Sequence, residues 1–294
     1  MLLTFEVFTV TIDNVNFEPA QPNVLDPPAL VEEIVTDQAD EITPFRTDGN
    51  FFGLYGNYAS IYGVYDIRGI SPLFIDGSHA IIQRELPSEV AWELFAVRYV
   101  LSGVDELQEI EAENIGTELY RGERVDLHEI SDPRPFAQLM TQYEVIDSDA
   151  FARAVLADPN FDERTTLILE SPPTLEIPTI ATTELGGTFM MTEYAPERFI
   201  LEANTPENAL LSLAHVDYPG WRARINGESI DLIRAYGALT ALEIPAGEHT
   251  IEVYFAPFSY QLGAIISLIT WCGMGLFRVF TVFNIFRKKH NAIA

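Results

Sequence analysis

Cysteine is nearly missing from this chain, and the one present, Cys272, stands in an apolar run near the C-terminus. The remainder can form no disulfide, zinc–thiolate site or thiol nucleophile. Lysine is absent until Lys288 and Lys289, and residues 1–260 set 13 Arg against 44 Asp and Glu, a formal balance of −31. So acidic a surface repels nucleic acid and anionic headgroups, which removes both as partners through bulk electrostatics. No Gly-x-Gly-x-x-Gly or Walker sequence offers a phosphate cradle, and no Gly-x-Ser-x-Gly offers a serine nucleophile. A basic leader is lacking too. Met1 to Ile12 carries Glu6 and is too short to span a bilayer, so it does not read as a cleavable signal peptide. It reads either as the exit end of an earlier membrane helix, with upstream spans missing, or as an edge strand.

Metal chemistry has little to build on. His79, His128, His215, His249 and His290 are isolated, none with a further ligand one helical turn away. The acids at Asp147, Asp149, Asp158, Asp162 and Glu163 lack the regular spacing of a calcium loop and are accounted for as helix caps and turns. No metal or cofactor is expected. A glycosidase needs two facing carboxylates at a set separation, and 44 acids offer many pairs with nothing to choose among them.

What is present is concentrated toward the C-terminus. Asn226-Gly227 sits between Trp221-Arg-Ala-Arg-Ile225 and Glu228-Ser-Ile-Asp-Leu232, and Asn-Gly supplies the positive φ values of a two-residue hairpin. Ala246-Gly247 makes a second turn before a strand in which Ile251, Val253 and Phe255 alternate with Glu252 and Tyr254. Tyr218 and Trp221 flank the Pro219-Gly220 turn, where they either anchor the hairpin or stack on a sugar. His249 is expected to pack and hydrogen-bond at a turn.

After Pro257 the composition changes abruptly, for Leu262 to Phe277 is uncharged and Val279 to Phe286 continues past Arg278. Sixteen residues at about 1.5 Å each fall short of the ~30 Å hydrocarbon core. The span must therefore extend outward through Phe258-Ser-Tyr260 or inward past Arg278, whose long stem can snorkel. Arg287, Lys288 and Lys289 mark the cytoplasmic end, and the acidic bulk, residues ~13–257, is expected on the other side.

Taken in order, residues 1–44 read as the possible helix end and a proline-punctuated connector with a short helix at Ala29 to Thr36. Residues 45–172 read as an α+β domain. Its Gly- and aromatic-rich opening, Gly49 to Phe74, includes Phe51, Tyr62, Asp66 and Arg68; its aromatics either form the core of a loop-rich layer or hold a sugar ring, with Tyr62 as the candidate contact, and Asp66 and Arg68 are either an ion pair or a polar handle in a cleft. A helix starts at Ser88, taken as N-cap, and another runs over Asp149 to Ala157; strands are expected at Val97 to Leu101, Gly116 to Tyr120, Val125 to Glu129 and Thr165 to Glu170. Ser171-Pro-Pro marks a boundary, and residues 173–257 read as an antiparallel β-sandwich, Ig-like or jelly-roll. One transmembrane helix (258–286) and a basic tail (287–294) complete the chain.

Five patches carry a resemblance: Leu94-Phe-Ala-Val-Arg-Tyr-Val-Leu101, Leu127-His-Glu-Ile-Ser-Asp-Pro-Arg-Pro135, Tyr218-Pro-Gly-Trp221, Pro245-Ala-Gly-Glu-His-Thr-Ile251, and Pro257 before Gly263-Ala-Ile-Ile-Ser267. In order and spacing they resemble the C-terminal part of the YfhO-type bacterial membrane proteins, and Asp66-Ile-Arg-Gly-Ile-Ser-Pro72 is similar to a further motif of that family. The resemblance implies an extracytoplasmic part and last membrane helix of a GT-C-like glycosyltransferase. Such enzymes would take a sugar from a lipid-linked donor to a cell-envelope acceptor. Their catalytic acids lie in loops between earlier membrane helices, so the implied role of this chain is accessory, beside the bilayer and a polytopic membrane subunit or upstream helices. Arg278 within the span and Ile70 in place of an aromatic depart from the family pattern. The alternative is a single-span glycan-binding or adhesion module acting alone.

Overall fold

The computed structural model describes residues 26–49, 52–71, 73–181 and 184–291, with the side chains of 84, 85 and 281–291 outside that description. The reading of Met1 to Ile12 and that of Phe51 fall outside the described residues. What is described is mostly β-sheet, in three sheets, followed by one C-terminal apolar helix.

The first sheet has the order β1 (Arg46–Asp48), β2 (Val97–Ser102), β4 (Glu123–Ile130), β3 (Ala112–Tyr120); β1 runs parallel to β2 and the other pairs are antiparallel. Helix α1 (Ala29–Asp40) buries Val31 and Ile34 with Tyr99, Leu101, Val125 and Leu127 of this sheet. It outruns the expected end at Thr36. No proline interrupts it before Pro44, and Thr36 Oγ1 bonds back to the Glu32 carbonyl at 2.8 Å. Its first turn is tied to the sheet by the Ala29 amide donating to Glu118 Oε2 at 3.1 Å. Of two short helices, α2 (Tyr58–Tyr62) lies within the Gly-rich stretch and α3 (Asp76–Ala80) just after it. Helix α4 (Ser88–Leu94) follows, capped by Pro87 rather than Ser88, because Pro87 at φ −55°, ψ 146° already holds the extended conformation an N-cap needs.

The second sheet, β5 (Ala137–Met140), β10 (Ala209–Val216), β14 (Leu239–Ile244), β13 (Ile233–Ala235), β7 (Thr166–Leu169) and β6 (Gln142–Val145), in that order, is the middle layer. Helix α5 (Asp149–Leu156) connects its one parallel pair, β6 and β7. Leu210, Leu239, Ala241 and Met140 point to a cluster with Trp92, Leu94, Ala152 and Leu156. Leu211, Leu213, Leu242, Ile244 and Leu139 point the opposite way. A strand buried on both faces shows a continuous apolar run, which is why Ala209 to Ala214 is apolar save for Ser212. The expected boundary at 172 falls within this sheet, which draws β5, β6 and β7 from before it and β10, β13 and β14 from after it.

The third sheet is fully antiparallel: β12 (Glu228–Ile230), β11 (Trp221–Ile225), β15 (Gly247–Phe255), β9 (Arg198–Thr205), β8 (Thr188–Ala195). Its inner face, with Phe199, Leu201, Ala223, Ile251 and Val253, joins Leu211, Leu213 and Leu242 of the middle sheet in one cluster, while Glu202, Arg224 and Glu252 stay outside. Asn226 (φ 52°) and Gly227 (φ 87°) form the hairpin turn between β11 and β12.

Only Ala256 and Pro257 separate β15 from helix α6 (Phe258–Asn291). Within it Phe258–Phe280, 23 residues of mean hydropathy 1.7, has no side chain buried against the rest of the chain. At about 1.5 Å per residue that stretch is ~35 Å long, enough for a bilayer core. The helix runs both ways, outward through Phe258 and Tyr260 and on past Arg278 to Asn291.

Candidate functional site: a buried acid–arginine cluster and an aromatic path to the C-terminal helix

Strand β1 ends on Asp48. That carboxylate is fully buried and accepts Arg68 Nε at 2.5 Å and Nη2 at 2.7 Å, one on each oxygen, plus Trp92 Nε1 at 2.8 Å. Arg68 also donates Nη1 to the Ile82 carbonyl at 3.1 Å. The segment around Asp66 lies alongside β1, with the Thr47 amide on the Tyr65 carbonyl and the Ile67 amide on the Thr47 carbonyl, each at 2.9 Å. Asp66 Oδ1 accepts the amides of Gly49 (3.1 Å) and Arg68 (3.0 Å). So Arg68 gives Asp66 its backbone and gives Asp48 its guanidinium. A Cβ at Gly49 would stand 2.7 Å from Leu54 Cβ and 3.0 Å from Asp66 Oδ2, so this approach is open only to glycine.

The electrostatics follow from the geometry. Burial pushes the Asp66 carboxyl up to about 7; the Arg68 and Gly49 amides and the Arg68 charge pull it down, and the neighbouring charge on Asp48 raises it further. Burial works against the Arg68 cation, and its bonds to Asp48 more than restore it, leaving it above the ordinary arginine value. A cleft of about 230 Å³ adjoins the cluster, lined by Arg68, Asn57, Ile70, Phe74, His79 and Ile82 among others. Neither carboxylate lines it. The cluster thus fixes the Gly-rich segment to β1, and of its members only the largely buried Arg68 reaches the cleft. Tyr62 sits on α2 against the core of α1 and the first sheet, its hydroxyl buried, and burial, then Tyr120, raise that hydroxyl above the ordinary tyrosine value.

Tyr218 and Trp221 lie at a different place, in the connection from β10 to β11. Trp221 packs edge-on to His215 (ring centroids 4.3 Å) and against Phe255 (5.4 Å) and Phe199 (6.3 Å). Tyr218 is half exposed and 6.3 Å from Phe255. Pro219 and Gly220 make the turn between them. Gly220 (φ 115°) accepts the Ala256 amide at 2.8 Å, and a Cβ there would meet Pro257 Cβ at 2.9 Å and Phe255 Cε2 at 2.8 Å. Burial, then the positive charge of Arg46, pull the His215 imidazole down to about 4.

A run of rings joins the two places: Tyr65 to Tyr194 (6.0 Å), Tyr194 to Phe199 (6.2 Å), then Trp221 and Phe255. Arg46 braces it, donating Nη1 to the carbonyls of Phe95 (3.0 Å) and Ala214 (2.6 Å), its guanidinium carbon 5.6 Å from the Phe136 ring centre. At the opposite end of the third sheet, Asn226 Oδ1 accepts the Thr250 amide at 2.9 Å and its Nδ2 lies 3.1 Å from His249 Nδ1, tying the two hairpin turns together beside Gly247 (φ 119°).

Asp48, Trp92, Arg46 and Tyr194 escaped the sequence reading, since each is an ordinary residue whose partners are distant in the chain. Among the described residues no group of three or more His, Cys, Asp or Glu is placed to hold a metal ion. No family model, characterised protein or solved structure matches the chain.

Proposed function

We propose that the protein is the extracytoplasmic part and last membrane helix of a YfhO-like assembly, an accessory, non-catalytic part of a GT-C-type glycosyltransferase. In this reading residues ~13–257 lie outside the membrane, Phe258 to Phe286 cross it, and the basic tail is cytoplasmic. The observation that carries it is the joint at Gly220 and Pro257. It fixes the β-rich body to an apolar helix without a flexible linker, which suits a part that must hold its position over a bilayer or over membrane-embedded catalytic loops.

Two further observations support it. Two of the five patches resembling the family meet directly, Tyr99, Val100 and Leu101 of the first pairing with Glu129, His128 and Leu127 of the second; the third and fourth share the strand pair β11 and β15 at its two ends, and the fifth follows β15. The cluster shared by the second and third sheets supports a β-sandwich, with helices α1 and α4 on the first sheet as the α+β part. Trp221 is turned inward, so a stand-alone glycan binder would rest on Tyr218 and Arg68 alone.

The reading predicts that cells lacking the protein retain their membrane composition and lose a sugar from one envelope glycan, measured by compositional analysis of purified polymers. An unchanged set of glycans rejects the glycosyltransferase role.

A further inference from the structure

The uncharged stretch after Arg68 ends at Asp76, and among its described residues it exposes four apolar side chains in close succession: Ile70, Leu73, Phe74 and Ile75, at 66%, 84%, 54% and 40%. In water this arrangement is costly and uncommon. The loop is nevertheless not loose, because hydrogen bonds hold it at several points. Asn57 takes both polar groups of Ile70, Oδ1 accepting its amide and Nδ2 donating to its carbonyl, each at 2.8 Å. Ser71 Oγ donates to the Leu73 carbonyl at 2.6 Å and accepts the Leu73 amide at 3.2 Å. The Ile75 carbonyl accepts the His79 amide at 2.9 Å and Ser78 Oγ at 3.0 Å. Phe74 is held by the His79 ring, 4.1 Å away. Outward apolar side chains on a loop whose backbone is already bonded at Ile70, Leu73 and the Ile75 carbonyl lower the cost of entering a low-dielectric medium.

The loop lies at the end of the molecule from which the apolar helix departs. Gly77, two residues on, packs so closely on the next turn that a Cβ would stand 2.3 Å from the Gly237 carbonyl oxygen. The adjoining Ala238 carbonyl accepts the Asp217 amide at 2.9 Å, and the 217–220 connection closes on Ala256 and Pro257, where α6 begins. Three consecutive short contacts therefore run from the loop to the start of the helix.

We propose that Ile70, Leu73, Phe74 and Ile75 form a second membrane contact, entering the headgroup and upper acyl region of the bilayer that α6 crosses. The occupant is lipid, zwitterionic at its surface, because the contact carries no cation to select an anionic headgroup and the surrounding body is strongly acidic. Asp76, exposed at the end of the contact, sets its shallow depth. With α6 it makes a two-point attachment that fixes tilt and rotation of the body as one helix cannot. This inference rests on the membrane reading of α6.

The test uses the full-length chain in phosphatidylcholine nanodiscs, with a nitroxide on a single cysteine and collision rates measured for oxygen and for an aqueous nickel chelate. The probes are native Cys272 and, in a C272A background, L73C, F74C and M190C; Met190 is exposed beside the membrane-distal turns. The expected result is that positions 73 and 74 favour oxygen, as Cys272 does, while position 190 favours the chelate. Chelate preference at 73 and 74 with oxygen preference at Cys272 overturns the loop contact alone. Shielding of 73 and 74 from both reagents overturns it too, since that is the signature of a docked protein. Chelate preference at Cys272 overturns the membrane reading of the helix itself.

Discussion

Arg68 and Asp48 meet as a two-pronged pair, 2.5 and 2.7 Å on the two carboxylate oxygens, with the arginine side chain 7% exposed and the aspartate not at all. The pair is the fastening between the Gly-rich segment and the first strand. Removing the cation strands a buried carboxylate, so Arg68→Ala is expected to cost about 3–5 kcal/mol in chemical unfolding. Arg68→Lys, unable to bond both oxygens in one plane, should recover only part of that.

Asp66 gives the fold a pH dependence of unusual sign. Its folded value near 7 lies above the ordinary carboxylate range, so the native state keeps a proton that the unfolded chain has released. Its contribution is full below about pH 4 and is lost as pH rises through 7, at about 1.4 kcal/mol per unit of difference. Asp66→Asn keeps an oxygen for the Gly49 and Arg68 amides and should raise stability at pH 8 relative to the parent, measured by urea unfolding.

His215 runs the other way. Its folded value near 4 lies below the ordinary 6.5, so the unfolded chain binds the proton first and stability falls as pH drops from about 6.5 toward 4. The two slopes oppose each other between pH 4 and 6.5. His215→Phe, which retains a ring against Trp221, should unmask the Asp66 decline with rising pH across that window; Asp66→Asn should unmask the opposite slope.

Gly220→Ala tests the joint. The added methyl meets Pro257 and Phe255 below 3 Å at a φ of 115°, so a loss of about 1–3 kcal/mol is expected, with new protease cleavage between Phe255 and Phe258. Gly227→Ala, at φ 87° with nothing within 4 Å, should cost about 1 kcal/mol and leave the joint resistant.

Local chemistry made part of this fold legible. Asn226-Gly227 spelled its hairpin, the alternation of Ile251 and Val253 with Glu252 spelled a one-sided strand, and the change after Pro257 spelled the apolar helix. What lay hidden was pairing at long range. Leu210 with Met140, and Ala235 with Leu169, unite segments that no local period connects, and β10, apolar on both faces, has lost the alternation that would reveal its neighbours. The Arg68 guanidinium finds Asp48, 20 residues back, rather than nearby Asp66, because the bridge from Thr47 to Asp66 lays the two segments side by side. No spacing announces that.

The central claim is that α6 lies in lipid with the acidic body on the side away from Lys288 and Lys289. Its most direct test is accessibility in intact cells making the full chain, with a membrane-impermeant maleimide for M190C in a C272A background and an antibody for a tag after Ala294. The account predicts a carbonate-resistant membrane protein labelled at position 190 from outside, its tag reached only after permeabilisation. Recovery in the soluble fraction without detergent, or both sites reached from one side, contradicts it.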